Sequence, residues 1–178
     1  MTTLRCSAQL LRRLGTPASD ALPSGRLGDW YAKIVATRPR HLVLCTNERS
    51  LLCVVVPLAP QATLLSRFSA AAQARISQLP VAAKLRLAEI SALAQPRLGR
   101  ATNRSVIGSM IQFGYAVESW LERPLTDRVD DLDALGLWLC DTPCSPLKCV
   151  WPWLEAEYLL TGVVEQERSP LHFRAHIT

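Results

Sequence analysis

Two apolar runs, His41 to Thr46 and Leu51 to Val56, lie four residues apart, and they constrain the fold more than any other feature of this 178-residue chain. The spacer Asn47-Glu48-Arg49-Ser50 has the length and residue types of a hairpin loop, where Asn and Ser are favoured on backbone grounds. With those four residues as the loop, paired positions sum to 97. Leu42, Leu44, Leu51, Cys53 and Val55 then share one face of the ribbon, and Val43, Cys45, Leu52, Val54 and Val56 share the other. Both faces are apolar, so both must be covered, unlike a strand pair with one wet face. The expected architecture is α+β: a small mixed sheet around this buried hairpin, about 41–56, with helices packed on both faces.

Candidates for the cover follow. Thr63 to Leu79 places Leu64, Phe68, Ala72, Ile76 and Leu79 on one stripe, and Val81 to Gln95 is rich in helix formers, so a helical pair broken at Pro80 is predicted. Arg97 to Ala101 reads as a short strand, weakened by Gly99. Thr102 or Asn103 caps a helix from Ser105 to Leu121, with Val106, Met110, Phe113, Val117 and Trp120 at spacings of three and four. Asp127 to Cys140 gives another helix, with Leu132, Leu135 and Leu139 inward, and a last short one runs from Trp153 to Leu160. Upstream, Thr2 to Cys6 is a strand and Ser7 caps a helix over Ala8 to Leu14, which Gly15 stops. Thr16 to Gly28, full of breakers, is a loop. Asp29 then caps a short helix over Trp30 to Thr37, with Trp30 and Ile34 at i and i+4, ended by Pro39.

A chain of this length builds one core without staples, so 1–178 is expected as a single domain, with about 148–178 as a peripheral C-terminal segment. Met1 to Gly15 lacks the apolar run of an export signal, and the longest apolar stretch, Leu51 to Leu58, is far short of a membrane span. A soluble cytoplasmic protein without membrane contact is expected, with six cysteines present as thiols or ligands. The net charge of +5 comes from 17 arginines and three lysines against 15 acidic residues. The arginines are scattered, so the charge points only weakly to nucleic acid.

Two polar segments are candidates for function. Arg97, Arg100, Asn103, Arg104 and Ser105 lead into a helix whose free amides and positive end favour an anion. The plainer alternative is that Asn103 and Ser105 cap the helix and the arginines are solvated. The hairpin tip can present Glu48 as an acid or base and Arg49 as a cation, or it can be turn chemistry alone. Cys140, Cys144 and Cys149 with His172 and His176 have the wrong spacing for a known zinc finger, and no metal is expected. No nucleotide or cofactor motif occurs, so no cofactor is expected.

Three functions fit these residues. One is a binding or regulatory module holding an anionic ligand, nucleic acid or an acidic protein partner at Arg100, Asn103, Arg104 and Ser105. The second is an enzyme on a phosphorylated or nucleic-acid substrate, with Glu48 as acid or base and Arg49 and Arg104 stabilising charge; it requires the hairpin tip to meet the helix start. The third is a structural interaction module with an exposed apolar patch around Trp151 and Trp153.

Several segments carry a resemblance: Leu4-Arg-Cys-Ser-Ala-Gln-Leu-Leu11, Leu27-Gly-Asp-Trp-Tyr-Ala32, Leu42-Val-Leu-Cys-Thr-Asn-Glu-Arg-Ser-Leu51, Thr102-Asn-Arg-Ser-Val-Ile-Gly-Ser-Met110 and Asp141-Thr-Pro-Cys-Ser-Pro-Leu147. Together they resemble an uncharacterised domain-of-unknown-function family of small bacterial proteins, from Leu4 to about Leu147. Similar proteins often carry Asn in place of Lys33 and Gly in place of Ser145. The resemblance implies one bacterial cytosolic domain and carries no assigned activity.

Overall fold

The computed structural model describes residues 1–15, 23, 25–38, 40–122 and 131–163. Strands β1 (Thr3–Cys6), β2 (Trp30–Val35), β3 (Leu42–Asn47), β4 (Cys53–Pro57) and β5 (Arg97–Arg100) form one five-stranded sheet in the order β4-β3-β2-β1-β5. β1 is parallel to both β2 and β5, whereas β3 is antiparallel to β2 and β4, so the sheet is mixed. The helices are α1 (Ala8–Leu14), α2 (Leu64–Ser77), α3 (Ala83–Ala92), α4 (Arg104–Leu121), α5 (Leu132–Cys140) and α6 (Pro152–Thr161). The fold is α+β.

The hairpin forms with its register moved. Leu42 pairs with Pro57 and Thr46 with Cys53, so paired positions sum to 99 instead of 97. The cause is Asn47, which stays in β3: its amide donates to the Leu52 carbonyl at 2.8 Å. Its Oδ1 accepts from the Arg49 amide at 3.1 Å and from the Ser50 amide and hydroxyl at 2.9 and 2.8 Å. The loop is thus Glu48 to Leu51, closed by Leu51 in the left-handed region at φ 58°. A shift of two keeps the side chains that pair across β3 and β4 on their predicted faces, because facing alternates with period two; Leu51, predicted in the strand, belongs to the loop.

Both faces are covered. On one, Phe68 of α2 meets Trp30 edge-on, with ring centroids 5.6 Å apart, and the predicted stripe Leu64, Phe68, Ala72, Ile76 and Leu79 is wholly buried. On the other, Tyr31 reaches the start of α4, while the ammonium end of Lys33 lies against Gly114. The α5 helix sits on β4, where Arg75 of α2 donates to Asp133 Oδ1 and to the Asp133 carbonyl, each at 2.8 Å. The Ser7 cap, α1 and the Gly15 stop fall where the sequence places them.

Residues 30–35 are a strand and not the predicted helix. Trp30 and Ile34 are four apart, which is a whole number of strand repeats as well as about one helical turn, so the spacing fits both periods. Trp30, Tyr31, Ile34 and Val35 are aromatic or β-branched and all buried, the residue types that favour the pleated alternative. The expectation of a peripheral segment over 148–178 is corrected only for α6, whose Trp153, Leu154, Ala156 and Leu160 lie in the core, and residues 164–178 lie outside the described residues. Most of the predicted loop Thr16–Gly28, Pro39, residues 127–130 of the helix predicted over Asp127–Cys140, His172 and His176 lie outside the described residues.

Candidate functional site

The start of α4 is built from the sheet outward. After β5 the Ala101 amide donates to the Cys6 carbonyl at 3.1 Å, and the Asn103 amide then donates to the buried Tyr31 hydroxyl at 3.2 Å. Asn103 Oδ1 accepts from the amides of Ser105 at 3.0 Å and Val106 at 3.4 Å. A helix start leaves four amides without intrahelical partners. Those of Asn103, Ser105 and Val106 are therefore taken from within the chain, and among the described residues only that of Arg104 has no partner. Asn103 acts as a cap, so an anion here would rest chiefly on side chains.

The predicted basic cluster is divided. Arg97 and Arg100 are exposed on edge strand β5, where residues three apart project from opposite faces. Arg104 and Ser105 instead line an open groove of about 550 Å³ between α4 and the loop after α5. Gly108, Phe113 and Ala116 continue the α4 wall, and Thr142, Pro143, Cys144, Ser145 and Pro146 form the other. Sequence reasoning did not name this second wall as a site. Its one signal was the resemblance, since Thr102–Met110 and Asp141–Leu147, remote in sequence, meet across the groove.

The loop wall is held firmly. Trp120 of α4 packs on Trp138 of α5, with centroids 5.1 Å apart. Thr142 Oγ1 donates to the Trp138 carbonyl at 3.1 Å, the Cys144 amide to the Val150 carbonyl at 2.7 Å, and the Cys149 amide to the buried Glu155 carboxylate at 2.7 Å. Burial pushes the Cys144 thiol up to about 11, so it lines the groove as a neutral S–H. Among the described residues, the groove lining contains no carboxylate and no imidazole.

The hairpin tip is elsewhere. Asn47 and Ser50 are buried and occupied in the turn, and Arg49 donates to the Arg26 carbonyl at 2.7 Å. The Glu48 amide donates to the Asp29 carbonyl at 2.9 Å, which sets the tip beside the beginning of β2. Since β2 and β1 intervene between β3 and β5, three strand spacings put about 14 Å between them before any offset along the strands. The offset is large, because the tip lies at the end where β1, β2 and β5 begin and Arg104 follows the end of β5. Glu48 and Arg49 therefore do not share a site with Arg104. Of the two tryptophans expected to head an apolar patch, Trp153 is buried and Trp151 half-buried.

Among the described residues no group of three His, Cys, Asp or Glu side chains is placed to hold a metal, and no helix is long and apolar enough to cross a membrane. All six cysteines are free thiols. The fold and groove define a small α+β domain with a preformed cleft on one side of a mixed sheet. The chain belongs to the family described as Domain of unknown function (DUF6933), whose model matches residues 3–155. No curated protein and no solved structure matches it.

Proposed function

We propose that the protein is a small cytoplasmic binding module of bacterial type, whose ligand lies in the groove between α4 and the loop 141–147. The observation that supports this is the groove itself: an apolar floor of Phe113, Ala116, Pro143 and Pro146 with Arg104, Ser105 and Gln112 at its edge. Few convergent polar groups over apolar walls is the usual make-up of a small-molecule site. Arg104 offers a planar fork of donors to a phosphate or carboxylate, joined by its own free amide and the Ser105 hydroxyl, while the ligand body lies on the prolines and Phe113. Arg100 and Asn103 contribute to the local charge and to the cap. Among the described residues the lining holds no carboxylate or imidazole to act as general acid or base, which favours binding over catalysis.

The test is calorimetric titration with aryl phosphates and aryl carboxylates, inorganic phosphate, and a short single-stranded oligonucleotide. The reading expects the aryl anions to bind with moderate salt sensitivity, and both Arg104→Ala and Gly108→Leu to abolish that binding. Gly108 suits the purpose because a Cβ there meets nothing within 4 Å, so the larger side chain fills the groove without disturbing the core. Binding indifferent to Gly108→Leu would place the ligand elsewhere. Preference for the oligonucleotide, with a steep salt slope, would favour nucleic acid as the partner.

A further inference from the structure

The outer side of α4 carries a row that neither the core nor the groove uses. Ile107, Ile111 and Tyr115 are 36%, 42% and 63% exposed, and a spacing of four sets them along one face of the helix. Arg104 stands three residues before the row and Glu118 three after it, both exposed. The intervening helix separates them by about 21 Å, so they cannot pair with each other. Among the described residues neither has an ion-pair partner.

The row is palindromic about Ile111. Ile107 and Tyr115 lie four residues to either side of it, and Arg104 and Glu118 lie seven to either side. A second α4 laid antiparallel across it, with a two-fold axis at Ile111, sets apolar on apolar and opposite charge on opposite charge. A parallel arrangement would set like charge against like. An isologous contact needs a patch complementary to itself, and this sequence order supplies one.

We propose that the protein forms an antiparallel two-fold dimer through the outer face of α4, centred on Ile111, in which Arg104 pairs with the partner's Glu118. Charge order selects a second copy as the occupant, since an unrelated partner would require no symmetry about Ile111. A single face of an 18-residue helix buries less than the roughly 800 Å² per partner of a standard interface. The dimer is accordingly weak and concentration-dependent, with a dissociation constant on the order of micromolar to tens of micromolar. The apolar contact about Ile111 needs no ligand, but Arg104 also lines the groove, so an anion held there competes with the partner's Glu118 for the same guanidinium.

Sedimentation equilibrium on the full chain, from about 1 to 500 µM, is the test. A monomer–dimer equilibrium is expected, and Ile111→Glu should weaken it at least about a hundredfold by placing two like charges at the axis. Because Ile111 faces solvent, circular dichroism and the urea midpoint should stay unchanged in that variant. Arg104→Glu and Glu118→Arg should each weaken the dimer about tenfold, and the double variant should restore it, because the exchanged charges again oppose. A strict monomer at the highest concentration overturns the dimer, as does a dimer indifferent to Ile111→Glu. Failure of the double variant to recover overturns the antiparallel pairing.

Discussion

Arg5 and Asp29 are joined at the end of the sheet where the parallel strands begin: Nε and a terminal nitrogen of Arg5 each lie 2.8 Å from Oδ2 of Asp29. The other carboxylate oxygen accepts the Thr3 amide at 2.9 Å. The carbonyl of Asp29 receives the Glu48 amide and, at 3.3 Å, Asn47 Nδ2. One fully buried aspartate thereby ties β1 and the hairpin tip to the start of β2.

Removing that carboxylate leaves a partly buried guanidinium and a buried strand amide short of an acceptor. Asp29→Ala should therefore lower stability by about 3 kcal/mol in urea denaturation, the range for breaking one side of a buried pair. A loss below about 1 kcal/mol, the level of an exposed pair, would contradict this role.

Two helical glycines should respond to alanine with opposite signs. At Gly108 a Cβ meets nothing within 4 Å, so Gly108→Ala should stabilise by about 0.5–1 kcal/mol through helix propensity. At Gly136 a Cβ would lie 2.9 Å from the Arg75 guanidinium and 3.2 Å from the Cys53 carbonyl oxygen. Arg75 is fully buried and has nowhere to swing, so Gly136→Ala should destabilise by about 1–3 kcal/mol. Thermal unfolding of the two variants checks both signs.

Asn103→Ala should cost about 1 kcal/mol by removing the α4 cap. The same change uncovers the amides of Ser105 and Val106. Inorganic phosphate should then raise the melting temperature of Asn103→Ala more than that of the unaltered protein, because an anion can occupy the vacated cap position. Equal shifts in both would argue that the cap does not compete with anions.

Stability should decline in mildly alkaline solution. Burial raises the thiol of Cys6 from an ordinary 9.0 to about 12, and burial with the Glu155 carboxylate raises Cys149 to about 11. Cys144 stands at about 11, and Cys45, Cys53 and Cys140 are raised by burial as well. As pH rises past 9.0, the unfolded chain loses thiol protons that the folded chain keeps. The stability they confer is complete below that point and fades as pH climbs through the folded values. Each such thiol contributes a slope of up to about −1.4 kcal/mol per pH unit. Urea midpoints at pH 7, 9 and 10.5 should fall over the last interval, and a flat series would contradict the thiol burial.

Several elements were legible because their signals are local. Ser7 before Ala8 and Asn103 before Arg104 are caps whose side chains reach amides two or three residues on, and the α2 stripe recurs at a spacing only a helix brings together. The two apolar hairpin faces told correctly that helices must lie on both sides. Trp30 and Ile34 misled because four residues satisfy either period. The hairpin register slipped because the Asn47 side chain, and not residue count, decides where the strand ends.

The α+β class, the hairpin with its two buried faces, the α4 cap and the palindromic order of Arg104, Ile107, Ile111, Tyr115 and Glu118 are all written in local runs of residues. That Asp29 serves β1 instead of a helix of its own, that Arg104 borders the loop 142–146, and that Glu48 lies at the far end of the sheet emerge only from the folded chain. These depend on which strands become neighbours. Strand order is set by the summed burial of many side chains from distant parts of the chain, and no local run of residues records that sum.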